Sequence, residues 1–524
     1  MPELFTLDFP DDWQGLERGA TQLRLEQQVL PAYLSRQRWF ASKDTRIDRV
    51  ELISKFALPG SSGNWLLTIF RVHLADGRSE EYFIPLAAVW NPQSSTPAGT
   101  ESTEVLASIR DGRRTGTLRD ALAEPAFVAD LVRAVGDEAR IDGAGGTLRF
   151  GHTHAYFPLL QEDERKIRKL GAEQSNSSIL LANKMVLKAF RKLERGVQPE
   201  LEMGRYLTDI ANYRNTPPLL GSIEELDDTE QPTVLVVIQR YVHNHGDGWS
   251  FTLNHLKHFF EAVAEGTSDE SSNHSYVALM ERLGARVGEL QQAFALETSD
   301  PAFGPEPISA SDVQTRKQEI QSEAEGTFAL LENSAATLDP QLQLRVRALL
   351  NQRDRIFDLI SSFNPEPDSN LMKTRLHGDL HLGQVLVAGD DFYIIDFEGE
   401  PGRSFVQRRA KQSPLKDVAG MLRSLNYAAW SAVFESGAGE ADQLAKLERS
   451  ARKWLQASSK AMLQGYRKAA EGCASYPANP ETFRRLLDLF ILERALYEAR
   501  YELANRPSWL RIPLEGIINL LAHG

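Results

Sequence analysis

Leu376-His377-Gly378-Asp379-Leu380-His381-Leu382-Gly383-Gln384-Val385-Leu386, followed shortly by Phe392-Tyr393-Ile394-Ile395-Asp396-Phe397-Glu398, is the stretch on which the reading of this chain turns. The second run is short, apolar and β-branched and ends in a carboxylate. It therefore predicts a buried strand that presents Asp396 at its end. Two aspartates and one side-chain amide on consecutive turns of a small β unit suit phosphoryl transfer. One aspartate accepts the proton of an attacking hydroxyl, while the amide and the other aspartate hold magnesium against a nucleotide.

The spacing agrees with that chemistry. Protein kinases use an Asp, an Asn five residues later, and then the Asp of an Asp-Phe-Gly turn; here the order is Asp379, Gln384 and Asp396 in Asp-Phe-Glu. His377, Asp379 and His381 alternate as metal ligands on an extended segment would. No third and fourth ligand follows at a legible spacing, and the kinase-like reading outweighs both a metal site and an ordinary polar turn.

With 524 residues the chain is expected to hold two to four domains. Its 42% hydrophobic and 25% charged content is ordinary for a globular protein. A net charge of −13 argues against nucleic-acid and anionic-membrane partners and tolerates a neutral, sugar-like substrate. One cysteine, Cys473, excludes an internal disulfide framework and fits a reducing cytosol. No secretory signal opens the chain, and apolar runs such as Val234-Leu235-Val236-Val237-Ile238 fall well short of a membrane span. A cytoplasmic protein is expected.

Residues 1–36 lean helical, with Leu23, Leu25, Val29, Leu30 and Leu34 spaced for one apolar face. Trp39 and Phe40, flanked by Arg38 and Lys43, read as core aromatics with a charged rim. Trp65 to Leu74, an Asp76-Gly77 turn and Glu81 to Leu86 predict a hairpin. Residues 1 to about 90 are thus a small α+β module, and 91–104 a linker by composition. From 105 to 150 the pattern turns helical, breaking at 142–146. Neither a Gly-x-Gly-x-x-Gly nor a Gly-x4-Gly-Lys-Ser/Thr loop occurs.

What does occur is Glu173-Gln174-Ser175-Asn176-Ser177-Ser178, a small polar loop that lets backbone approach a triphosphate. A strand, an Asn183-Lys184 turn and a second strand with Lys188 follow. Lys188 is either the partner of nucleotide phosphates or a surface lysine on an edge strand. The helix opened by Pro199 tips the balance, since Glu202 or Glu200 can fix that lysine. Gln239-Arg240-Tyr241-Val242 reads as a hinge whose backbone pairs with adenine. His243 and His245 beside Asp247 are loop residues, with no ligand cluster to answer them. Beyond the hinge the chain becomes mostly helical. A polar loop is expected at 266–273, an Asp339-Pro340 helix start with apolar residues out to Ile360, and an irregular segment at 399–413.

Taken together, residues 173–178, Leu187 to Phe190, His377 to Gln384, Asp396 to Pro401 and Pro414 to Ser424 resemble the maltokinases. Arg38-Trp39-Phe40 and Asn505-Arg506-Pro507-Ser508-Trp509-Leu510 extend the resemblance over nearly the whole chain. Those enzymes are aminoglycoside-phosphotransferase-like kinases that make maltose 1-phosphate from ATP and maltose. The resemblance implies an α+β, bilobal protein-kinase-like fold with an extra cap: 1–90 N-terminal cap, 91–165 intermediate segment, 166–242 kinase N-lobe and 243–524 helical C-lobe. It makes Asp379 the catalytic base and gives Mg²⁺ to Gln384 and Asp396. ATP falls to Lys188, Glu202, Ser175, Asn176, Ser177, Gln239 and Tyr241. His377, His381, Glu398, Tyr497, Glu498, Tyr501, Arg506 and Trp509 are the acceptor-side candidates, although aromatics at helical spacing are more often packing residues.

Three functions are carried forward. The first is a maltokinase that feeds glycogen and α-glucan synthesis from trehalose, free-standing or fused to trehalose synthase. The second is a kinase of the same fold acting on glucosamine, another amino sugar or an aminoglycoside. The third is a catalytically dead scaffold, which the competence of Lys188, Asp379, Gln384 and Asp396 disfavours.

Overall fold

The computed structural model describes residues 4–10, 13, 19–60, 63–90, 103–163, 166–171, 175–267, 270–364, 371–436 and 441–523. Most of the linker expected at 91–104, together with Glu173 and Gln174, lies outside them. The chain divides into two compact units, Met1–Ile210 with Pro217–His243, and Ala211–Thr216 with Asn244–Gly524.

The first unit is built on two sheets. One contains β1 (Thr6–Asp8), β2 (Ile47–Gly60), β3 (Gly63–Leu74), β4 (Ser79–Phe83), β5 (Leu86–Trp90), β6 (Val105–Asp111) and β7 (Arg114–Asp120). The other contains β8 (Arg140–Gly143), β9 (Gly146–His152), β10 (Ile167–Lys169), β11 (Asn176–Leu181) and β12 (Met185–Phe190), and continues below. A two-residue strand, β13 (Lys192–Leu193), returns to the first sheet beside β4, while β14 (Leu219–Leu226) and β15 (Pro232–Arg240) complete the second. The strand orders are β1-β6-β7-β5-β3-β4-β13, with β2 on β3, and β10-β11-β12-β15-β14-β9-β8.

Strand β3 shows why the two sheets form one unit. Successive side chains point to opposite faces, and both faces of β3 are covered. Trp65, Leu67 and Ile69 join a core with helix α1 (Pro125–Gly136) and the second sheet, while Leu66, Phe70, Val72 and Leu74 face a second core with Tyr33, Trp39 and Phe40. The expected hairpin forms around Gly77, whose φ of +87° suits a residue without Cβ. Trp39 and Phe40 are core residues, each 2% exposed.

The helical expectation for 105–150 holds only for α1. The rest is β6, β7, β8 and β9, because half-buried alternation in Val105–Asp111 and a Gly-rich turn before Gly146 outweigh the helix-favouring composition.

The second unit is mainly helical. Its longer helices are α3 (Gly248–Glu265), α4 (Glu270–Phe294), α5 (Ala310–Ser334), α6 (Pro340–Leu350), α7 (Arg353–Ser362), α8 (Leu415–Glu435), α9 (Ala441–Ala470), α10 (Pro480–Asn505) and α11 (Arg511–His523), and a single turn, Phe405–Arg408, lies in the segment expected to be irregular; α2 (Pro199–Arg205) lies in the first unit. Two small antiparallel pairs accompany them: β16 (Glu306–Pro307) with the distant β17 (Met372–Lys373), and the hairpin of β18 (Val385–Ala388) with β19 (Asp391–Ile394).

Asp339 caps α6, accepting from the amides of Gln341 and Leu342 at 2.9 and 3.1 Å. The apolar series expected to run on to Ile360 is split between α6 and α7. Residues 270–273, expected in a polar loop, are the first turn of α4. Helices α4 and α9 touch through glycine: a Cβ on Gly284 would collide with the Met462 carbonyl oxygen. Among the described residues no helix is long and apolar enough to cross a membrane.

Candidate active site

In the first unit, Lys188 sits at mid-strand on β12, opposite Ser178 of β11. Gln198 caps α2, accepting from the Leu201 amide at 3.1 Å, and Pro199 occupies the first turn. That places Glu200 inward, and its carboxylate meets Lys188 Nζ at 2.7 Å with the Glu200 side chain only 2% exposed. The lysine's partner is therefore Glu200, where Glu202 was an equal candidate from sequence. The two-residue step from Glu200 to Glu202 turns the side chain by about 200° on a helix, and only the docking of α2 decides which residue faces the strand.

Two other expectations change here. Ser177 belongs to β11 itself, fully buried, and its hydroxyl accepts from Arg191 Nε at 2.7 Å, so it faces the interior; Ser175 is exposed ahead of the strand. The Tyr241 amide donates to Lys184 O at 2.8 Å, so that group is already engaged and is not the one to meet adenine. Gln239 lies on β15 between Val186 and Leu219.

In the second unit, Asp417 organises the loop that carries Asp379. Buried as the third residue of α8, it accepts from the His377 amide at 2.8 Å and the Gly378 amide at 2.9 Å; burial raises its pKa. Gly420, one turn on, lies so close that a Cβ would meet Leu380 O at 2.5 Å. His377 is 1% exposed and bonds through Nε2 to Ile395 O at 2.8 Å, while its ring centroid lies 4.9 Å from that of Phe397. Its expected place against an acceptor is corrected: it is sealed inside and ties the Asp379 loop to the Asp396 turn.

Gln384 Nε2 donates to Asp396 Oδ2 at 3.0 Å, and the Gln384 carbonyl accepts from the Ile395 amide at 2.9 Å. Asp396 holds a φ of +66°, in the left-handed region that a non-glycine residue occupies only where surrounding contacts impose it. An oxygen of Asp396 and one of Glu398 lie within 4.8 Å of each other. Amide and carboxylate oxygens suit a hard cation such as Mg²⁺.

Asp379 is reached from α10. Arg494 Nη2 donates to Asp379 Oδ1 at 3.1 Å, and Arg494 Nε lies 3.8 Å from Glu498 Oε1. Burial opposes the charge of Arg494, but the carboxylates of Asp379, Glu498 and Glu400 outweigh it and raise its pKa. Glu498 is held in turn by Arg423, whose Nη2 and Nε donate to one oxygen at 2.6 and 2.9 Å.

Two cavities flank this chain of charges. One, of about 710 Å³, contains Asp379, Glu400, Arg403, Lys416 and Glu493; the other, of about 480 Å³, contains Trp249, His381, Tyr427, Glu498, Tyr501 and Arg506. Arg494 and Tyr497 line both. Burial lowers the pKa of His381 and of Lys416. Thus His381, Tyr497, Glu498, Tyr501 and Arg506 are gathered at one cavity. Trp509 is not on its wall and connects through Arg506, whose guanidinium carbon lies 4.5 Å from the Trp509 ring centroid. Glu398 sits with Asp396.

Residues 33–123 match the maltokinase N-terminal cap domain, which takes in most of the first sheet. Over that segment the chain is similar to the maltokinases. The chain is 25% identical over 377 residues to a glucosamine kinase of Mycolicibacterium smegmatis, covering 71% of this chain and 84% of that one. It is 24% identical over 355 residues to a glucosamine kinase of Streptacidiphilus jiangxiensis, covering 68% and 73%. In three dimensions it resembles a glucosamine kinase solved with glucosamine, ADP and inorganic phosphate, with a TM-score of 0.63 and 19% identity over 94% of this chain and 99% of that one. The fold is accordingly α+β and protein-kinase-like, with an N-terminal cap.

The sequence reading did not single out Asp417, Arg494, Arg423, Trp249 or Tyr427 as site residues. Arg494 had one legible signal: with Tyr497, Glu498 and Tyr501 it makes an i, i+3, i+4, i+7 stripe on α10.

Proposed function

We propose that this protein is an ATP-dependent sugar kinase that phosphorylates maltose at its anomeric hydroxyl, giving maltose 1-phosphate. Asp379 accepts the proton of that hydroxyl, with Arg494 occupying one carboxylate oxygen and leaving the other for the acceptor. Gln384 and Asp396, with Glu398 adjoining, hold the divalent ion, and Lys188, set by Glu200, meets nucleotide phosphates. Bound ATP and Mg²⁺ supply the phosphoryl group and neutralise its developing charge. His381, Tyr497, Glu498 and Tyr501 bind the sugar, whose hydroxyls both donate and accept. Trehalose synthase as the source of maltose, and a cytoplasmic setting, belong to the same reading.

The observation that carries the neutral acceptor is that the acids at the two cavities lie against arginines, apart from Asp247, which caps α3, and Asp417, which holds the loop of Asp379. Asp379 is paired with Arg494, Glu400 with Arg403 at 2.5 Å, Glu493 with Arg316 at 3.2 Å, Glu498 with Arg423, and Glu502 with Arg506 at 2.7 Å. An ammonium ligand needs a carboxylate of its own; a neutral disaccharide does not.

The test is ADP release with maltose, glucose, glucosamine and kanamycin as acceptors. Maltose should give the highest kcat/KM, and activity should vanish with EDTA and return with Mg²⁺. Glucosamine or kanamycin as the best acceptor would replace this reading with an amino-sugar or aminoglycoside kinase of the same fold. Activity that resists EDTA, or returns with zinc alone, would remove Gln384 and Asp396 from the metal.

Tyr501 is 47% exposed at the smaller cavity, so Tyr501→Phe should fold normally. Loss of one hydrogen bond to a sugar should raise the sugar KM by roughly 2- to 13-fold, the equivalent of about 0.5–1.5 kcal/mol, with the ATP KM unchanged. Glu498→Gln should do the same with an added loss of thermal stability, because Arg423 loses its partner. Equal effects on both substrates would return these residues to packing.

A further inference from the structure

The strand that carries Lys188 runs on into the cap. Arg191 follows β12 directly, and the next two residues pair with β4, Lys192 opposite Tyr82 and Leu193 opposite Glu81. The Arg191 side chain is fully buried. Its Nη2 meets Asp120 Oδ2 at 2.5 Å, its Nε donates to Ser177 Oγ at 2.7 Å, and its Nη1 reaches Phe83 O at 3.4 Å. The guanidinium carbon stands 4.8 Å from the centroid of the Trp39 ring. Asp120, 2% exposed, also accepts from the Tyr33 hydroxyl and the Leu122 amide, both at 3.1 Å.

Stability alone does not call for such an arrangement. Desolvating a guanidinium and a carboxylate costs about as much as their attraction returns, and a well-packed apolar pair is often as stable. The guanidinium supplies geometry instead, since its planar fork fixes several acceptors at once. Trp39, Phe83 and Asp120 lie within the segment that matches the maltokinase cap, whereas Ser177 lies on β11 beside Asn176 and opposite Ala189, next to Lys188.

We propose that Arg191 is a positioning residue that fixes the β11–β12 hairpin to the cap, so that the cap sets the place of Lys188 and of the polar residues entering β11. The cap is then part of the nucleotide-binding apparatus rather than an appendage. This inference rests on the nucleotide reading of Lys188 given above.

The experiment uses the full chain with three variants: Arg191→Lys, the double variant Arg191→Met/Asp120→Leu, and Lys188→Met. The double variant removes both charges together and should fold, since neither is left buried alone. Its ATP KM should rise by about 10-fold, inside the roughly 10²-fold cost of a 1 Å misplacement, while its sugar KM stays at the parent value. Arg191→Lys keeps the charge without the fork and should show the same ATP-selective rise to a smaller extent. An ATP KM unchanged in the folded double variant, or ATP and sugar KM rising together, overturns the proposal. If the double variant does not fold, Arg191→Lys decides by the same criterion. Lys188→Met with unchanged ATP KM and turnover would sink the nucleotide reading itself, which separates the two failures.

Discussion

Asp379→Asn should lower turnover on the order of 10²–10⁴-fold, the contribution of a positioned general base, with ATP binding nearly intact. The substitution preserves shape and keeps an oxygen that can accept from Arg494, which now donates to Oδ1 at 3.1 Å. What is lost is the acceptor for the sugar's proton. Steady-state kinetics with maltose, together with ATP-analogue binding in the absence of sugar, separates the two effects. Near-normal turnover would show that another group takes the proton, and the cavity containing Glu400 and Glu493 would be searched next. A parallel loss of nucleotide binding would show instead that the variant disturbs more than the base.

The second large effect is expected at Asp417, which touches no proposed substrate. Its carboxylate accepts from one buried and one partly buried amide, at 2.8 and 2.9 Å, in the turn just before Asp379. Hydrogen bonds to a charged group contribute about 1.5–3 kcal/mol each, and orphaned buried amides carry their own desolvation cost. Asp417→Ala should therefore lose at least about 3 kcal/mol of stability. Measured well below its melting temperature, the folded fraction should still lose turnover on the order of 10²-fold, the cost of misplacing a reacting group by about 1 Å. Asp417→Asn keeps one acceptor and should fall between. A variant that is less stable yet fully active per folded molecule would show that the loop holds its shape without this anchor.

Arg494 and Asp417 explain why the site was only half legible in the chain. His377 to Gln384 and Ile394 to Glu398 are local, and their β-branched run, turn glycines and alternating polar residues are visible without partners. Arg494 reaches Asp379 across 115 residues, and Asp417 reaches Gly378 across 39. Periodicity within one element can mark a face, as on α10, but not its partner, since the contact depends on where a helix packs against a distant loop. The choice between Glu200 and Glu202 failed for the same reason at shorter range.

By itself the sequence determined the local chemistry: an Asp, an amide and a second carboxylate at kinase spacing, a strand lysine followed by a Pro-opened helix, and caps such as Asp339 for α6. These are properties of neighbours, set by backbone preference and short-range hydrogen bonding. Tertiary structure decided what each of those groups faces. It turned 105–120 into strands, put Ser177 and His377 inside, paired Lys188 with Glu200, brought Arg494 to Asp379, and joined cap to hairpin through Arg191. The physical reason is that burying a polar side chain is tolerable only beside a partner, and the partner is supplied by a distant segment whose position no local pattern encodes.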